Sequence, residues 1–120
     1  MAWRALRGEG RGVASPARLP SYRVGNRGHA MNLYDLLASR FPADRTKPCF
    51  LLPDGSAISY GELEDRTGRV AALLRARGVQ AGDRVALQAP KSPQGVMVYL
   101  AALKIGAVFL PLNQAYTPSE

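Results

Sequence analysis

The sequence predicts an α/β fold, and three observations carry that expectation. A long amphipathic pattern at residues 60–77 is framed by a helix start signal and a glycine stop. Two short apolar runs, "RVALQA" and "AVFLPL", flank the apolar helical stretch "PQGVMVYLAALKI". Strand, helix and strand in that order make a right-handed βαβ unit. Apolar content of 47% and charged content of 21% suit a packed globular chain.

Each element has its own local reason. In "MNLYDLLASRF", Asn32 is placed to cap a helix whose expected inner face is Leu33, Leu36, Leu37 and Phe41. "PCFLLPDGSAISY" holds two apolar runs around Asp54-Gly55, the signature of a β-hairpin. Ser59 and Glu62 form a capping box for the next helix, with Leu63, Val70, Ala71 and Leu74 as its buried stripe. Glu62–Arg66 and Asp65–Arg69 are i,i+4 pairs with the acid first, the better order. Gly78 is the expected stop, and "VQAGD" the following turn.

Ser92-Pro93 repeats the cap-then-proline start. The helix it opens is apolar nearly all round, interrupted by Lys104 alone, so it is expected to need cover on several sides. In particular, Met97, Leu100 and Leu103 are expected to lack full cover within this chain. Gly106 ends that helix. "AVFLPL" is continuous in apolar residues, as in a parallel strand buried on both faces. At the end, Thr117, Pro118 and Glu120 again spell a capping box with Pro at the first helical position.

The charge is uneven. The net charge is +7, of which residues 1–30 hold +5 and residues 31–120 hold +2. The basicity belongs to the tail, so it argues against nucleic-acid binding by the folded body. The tail is rich in Gly, Pro, Ser and Arg and shows no sustained apolar period, a composition typical of disorder. It is open to three sharper readings: sequence upstream of a true start at Met31, an organelle transit peptide, or an RNA-binding arm through "RGEGRG". No apolar core of a secretory signal is present. The expected location is the cytoplasm, or the mitochondrion if residues 1–30 are a transit peptide.

Candidate chemistry is sparse. The single cysteine, Cys49, excludes an internal disulfide and reads as a buried structural thiol. The single histidine, His29, lies in the tail and is no partner for it. "GEGRG" follows no strand, so it is no phosphate loop. Asp54, Asp65 and Asp83 have no metal-ligand spacing. Lys91-Ser92 and Asn113 lie at strand ends where α/β proteins bind ligands, but a solvated lysine, a helix cap and a backbone-capping Asn account for them. No catalytic, cofactor-binding or metal residue is assigned.

The stretches "SYGEL", "ARGVQAGDRVAL" and "YLAALKIGAVFLPLN" resemble the opening of the adenylate-forming acyl-CoA synthetases, the AMP-binding superfamily. Within it, "KSPQGVMVYLAALKIGAVFLPLNQAYTPSE" is most similar to malonyl-CoA synthetases, and the resemblance spans residues 31–120. It implies an incomplete N-terminal part of the large domain of an acyl-adenylate-forming enzyme. Such an enzyme uses ATP, Mg2+ and coenzyme A to activate a malonate-like carboxylic acid. The phosphate loop and the lysine-bearing C-terminal domain of that family have no counterpart in these residues, so the chain alone is expected to be inactive and to bind no cofactor. Self-association through uncovered apolar surface is expected, and a membrane partner is not. A nucleic-acid-binding module and a regulatory fragment docking on a full-length synthetase are the alternatives.

Overall fold

The computed structural model describes residues 2–6 and 32–115. In chain order the elements are β1 (Ala2–Leu6), α1 (Leu33–Ser39), β2 (Pro48–Leu51), β3 (Ala57–Ser59), α2 (Tyr60–Ala76), β4 (Arg84–Gln88), α3 (Pro93–Lys104) and β5 (Val108–Pro111). β4 and β5 pair in parallel, in register from Arg84 opposite Val108 to Leu87 opposite Pro111. β2 and β3 form the hairpin. The capping box at Thr117–Glu120, "GEGRG" and His29 lie outside the described residues.

One element was not expected. The composition of residues 1–30 suggested no strand, yet Ala2–Leu6 lies antiparallel on the free side of β4, with Ala2 opposite Gln88 and Leu6 opposite Arg84. The physical reason lies in β4 and not in the tail. A strand paired on one side only leaves a row of unused donors and acceptors, and any short extended segment can satisfy them.

The helix starts follow the sequence. Asn32 accepts from the Asp35 amide at 3.0 Å, and Ser59 Oγ accepts from the Glu62 amide at 3.1 Å. Each box is closed by a return bond, Ser59 N–H to Glu62 Oε2 at 2.9 Å in the second case. The two ion pairs on α2 are formed, at 3.3 Å for Arg66–Glu62 and 3.0 Å for Arg69–Asp65. At the hairpin turn Gly55 takes φ 84°. There the hydroxyl and amide of Ser56 donate to Asp54 and hold its carboxyl below the usual aspartate range.

Two apolar clusters share two helices, α2 and α3. Ala71 and Leu74 of α2, Val85 and Leu87 of β4, Val98, Ala101 and Ala102 of α3, and Ile105 just after it belong to the first. Tyr34 of α1, Ile58 of β3, Leu63 of α2, and Met97 and Leu100 of α3 make the second. α3 therefore packs on both sides, as an all-apolar helix must.

This corrects four expectations. Met97 and Leu100 are buried, because α1 and the hairpin supply the second cover. Leu33 and Leu36 are exposed, and the inner face of α1 is Tyr34, Leu37, Ala38 and Phe41, spaced i, i+3, i+4, i+7. β5 is not buried on both faces: Val108 is 52% exposed and Leu110 39%. Part of the unmet apolar surface therefore lies on β5, with Leu51 on β2 the most exposed of the large apolar side chains. Cys49 is half-buried against the second cluster and not fully enclosed.

Candidate functional site

Parallel strands with a helical crossover open a crevice at their carboxyl ends. In this chain that crevice is a cleft of about 590 Å³ between the ends of β4 and β5 and the first turn of α3. Leu87, Val96, Tyr99, Phe109 and Leu112 give it an apolar wall. Tyr99 and Phe109 meet edge to face, ring centres 5.2 Å apart, which fixes the helix against the strand at the cleft's base.

Polar groups sit at the rim. Ser92 Oγ accepts from the Gly95 amide at 3.2 Å and so caps α3. Asn113 Oδ1 accepts from the Ala115 amide at 3.0 Å, and its carbonyl accepts from Gln88 Nε2 at 2.9 Å. Lys91 is exposed beside them and lines the same cleft. The structure thus brings Lys91, Ser92 and Asn113 together. Ser92 and Asn113 act there as caps, the roles the sequence assigned to them. Sequence reasoning missed Tyr99 and Phe109. Their signal was an aromatic ring on the crossover helix and another on the following strand, both hidden in continuous apolar runs.

These residues do not fit a nucleotide or its metal. Among the lining residues Lys91 is the sole cation, and the α3 N-terminus already bonds its own cap. No group of three or more His, Cys, Asp or Glu converges among the described residues. No helix among the described residues is long and apolar enough to cross a membrane.

A second constellation lies where the loop after α1 meets the start of α2. Arg45 pairs with Glu64 at 3.1 Å, donates to the Pro42 carbonyl at 3.0 Å and lies 5.5 Å from the centre of the Phe41 ring. Phe41 in turn packs on Tyr60, 5.0 Å away. The backbone passes so close that a Cβ on Gly61 would stand 3.3 Å from the Arg45 carbonyl. The glycine of "SYGEL" therefore lets the loop after α1 cross the start of α2 without pushing the Arg45 backbone aside.

Comparison with known proteins matches residues 36–120 to the family model described as AMP-binding enzyme. The acyl-CoA ligase sidI of Aspergillus fumigatus is 41% identical over 73 residues, 60% of this chain and 12% of that protein. A feruloyl-CoA synthase of an Amycolatopsis species is 48% identical over 59 residues, 49% of this chain and 12% of that protein. The crystal structure of apo MatB from Rhodopseudomonas palustris superposes with a TM-score of 0.68 at 47% identity, covering 72% of this chain and 17% of that one. The chain thus spans about an eighth of the length of these curated relatives.

Proposed function

The chain belongs to the AMP-binding enzyme family, and from that premise we propose that it is the N-terminal part of an AMP-forming acid–CoA ligase acting on malonate or a closely similar acid. In the proposed whole, the acid's carboxylate attacks ATP to give an acyl-adenylate and pyrophosphate. The thiol of coenzyme A then displaces AMP to give the thioester. Magnesium would screen the phosphates in the first step.

One observation carries the reading. The run from Lys91 to Glu120 resembles malonyl-CoA synthetases, its described part forms α3, β5 and much of the cleft lining, and 72% of the chain superposes on MatB at 47% identity. The described residues contribute scaffold and not chemistry: a double-sided helix, a strand pair and an apolar cleft. Catalysis of this kind needs phosphate donors, an acid pocket and a lysine near the adenylate held at once. The 120 residues are therefore assigned no activity of their own.

The test has two arms. Purified chain is given ATP, magnesium, malonate and coenzyme A, and AMP release is measured; none is expected, and sustained magnesium-dependent release overturns the scaffold assignment. The chain is then extended by whatever open frame follows codon 120 and assayed with malonate, acetate and an aromatic acid. Preference for malonate is expected. Preference for either of the others overturns the malonate reading and leaves the family standing.

A further inference from the structure

β1 stands apart from the rest of the fold in two ways. It lies outside the residues that match the family, which begin at 36, and residues 7–32 separate it from α1. Its principal packing partner is β4. Five residues on one edge make a marginal element, because a single strand pairing without further cover barely offsets the cost of ordering the segment.

The backbone bookkeeping of β4 says which atoms hold it. The carbonyls of Asp83 and Leu87 accept from the amides of Val108 and Leu112, on the β5 side. Successive residues of a strand point their N–H and C=O groups to opposite edges. Arg84, Ala86 and Gln88 therefore face away from β5, toward their register partners Leu6, Arg4 and Ala2. Arg4 is the central contact of β1, and the amide of Ala5 faces away from β4.

We propose that the outer edge of β4 is a strand-acceptor surface and that Ala2–Leu6 is its built-in, releasable occupant, an N-terminal strap on the family scaffold. A strap that belongs to the same chain meets its edge intramolecularly, which favours docking of a weak strand without making it part of the core. The surface selects an extended, antiparallel segment through main-chain bonds at alternate residues. Release of the strap opens that edge while β4, β5 and α3 stay folded.

Hydrogen exchange on the whole chain tests this. In the parent chain the Ala86 amide is expected to exchange slowly, at a rate independent of protein concentration, but faster than the Leu87 amide, which β5 protects. Arg4→Pro removes the central donor and is expected to speed exchange at Ala86 roughly tenfold or more. Ala5→Pro, whose lost amide faces outward, is expected to leave it nearly unchanged. The Leu87 amide stays protected in all three. The sole tryptophan, Trp3, gives a second readout: its fluorescence anisotropy falls in Arg4→Pro and not in Ala5→Pro. Equal loss of Ala86 protection in both variants, or no loss in either, overturns the proposal. So does protection that rises with protein concentration, which would assign the strand to a second copy. Loss of Leu87 protection in Arg4→Pro would make β1 integral to the sheet, and also overturns it.

Discussion

At the scale of single residues, Thr67 is the anomaly. It is fully buried on α2, and its hydroxyl has no hydrogen-bond partner. A buried hydroxyl without a partner keeps its desolvation cost. Thr67→Val keeps the branching and removes the stranded oxygen. It is expected to stabilise the chain by about 1 kcal/mol, read as a higher denaturant midpoint with unchanged slope. A lower midpoint would mean that the hydroxyl finds a partner in solution. Gly106 is the opposite case. Its φ of 77° suits glycine, and an added Cβ would stand 3.3 Å from Ala81 Cβ. Gly106→Ala is expected to cost about 1–2 kcal/mol, since both the backbone and the neighbouring loop must give. Lys104 shows how a charge survives on an apolar helix: its ammonium lies 4.6 Å from the centre of the Tyr34 ring.

At the scale of elements, α2 depends on its start. Ser59→Ala removes the acceptor for the Glu62 amide and is expected to lower stability by about 1 kcal/mol, seen as a lower melting temperature. The same box predicts a pH response. The Ser59 amide, then its hydroxyl, and lastly Arg66 hold the Glu62 carboxyl below its ordinary value. A carboxyl lowered in the folded state stabilises above its unfolded value, and that contribution is lost as pH falls through the folded one. Melting temperature is therefore expected to drop on acidification through the glutamate range, with a shallower drop in Glu62→Gln. Equal slopes would disprove the assignment.

Most of this was legible in the sequence because it is local. Caps, glycine stops, the Asp54-Gly55 turn and both i,i+4 pairs are set by residues within four positions of one another. The inward face of α1 was not legible, since Leu33 and Leu36 look as apolar as Tyr34 until the position of α3 decides which side is covered. The Arg45 cluster joins residues 41, 45, 60 and 64 across a loop, and no periodicity announces it. The rim of the cleft was legible as junction residues, and its aromatic base was not.

At the scale of the whole chain, the balance of covered and uncovered surface decides behaviour. Val108 and Leu110 of β5 and the following Leu112 stand partly in water, and Leu51 on β2 is 80% exposed. The outer edge of β5, unpaired among the described residues, is nevertheless a poor template. With Val108 and Leu112 bonded to β4, the outward positions are Phe109 and Pro111, and proline has no N–H to offer. Association is therefore expected to run through the apolar face and not through strand addition at this edge. Sedimentation should show concentration-dependent self-association, shifted toward monomer by Leu110→Lys with little change in melting temperature. Association unaffected by that substitution would point to another surface.

The double-sided packing of α3 also sets when the chain can fold during its own synthesis. Before residue 93 leaves the ribosome, α1, the hairpin, α2 and β4 are all complete, yet each apolar cluster still lacks residues that α3 supplies. Translation delivers roughly 5–20 residues per second, so the nascent chain carries an unfinished interior until this helix emerges. The second cluster gains its last buried residues within α3, and the first only when Ile105 and Ala107 follow it. A nascent-chain force profile should accordingly show one late step, after Ile105 clears the exit, and no earlier step for α2 alone.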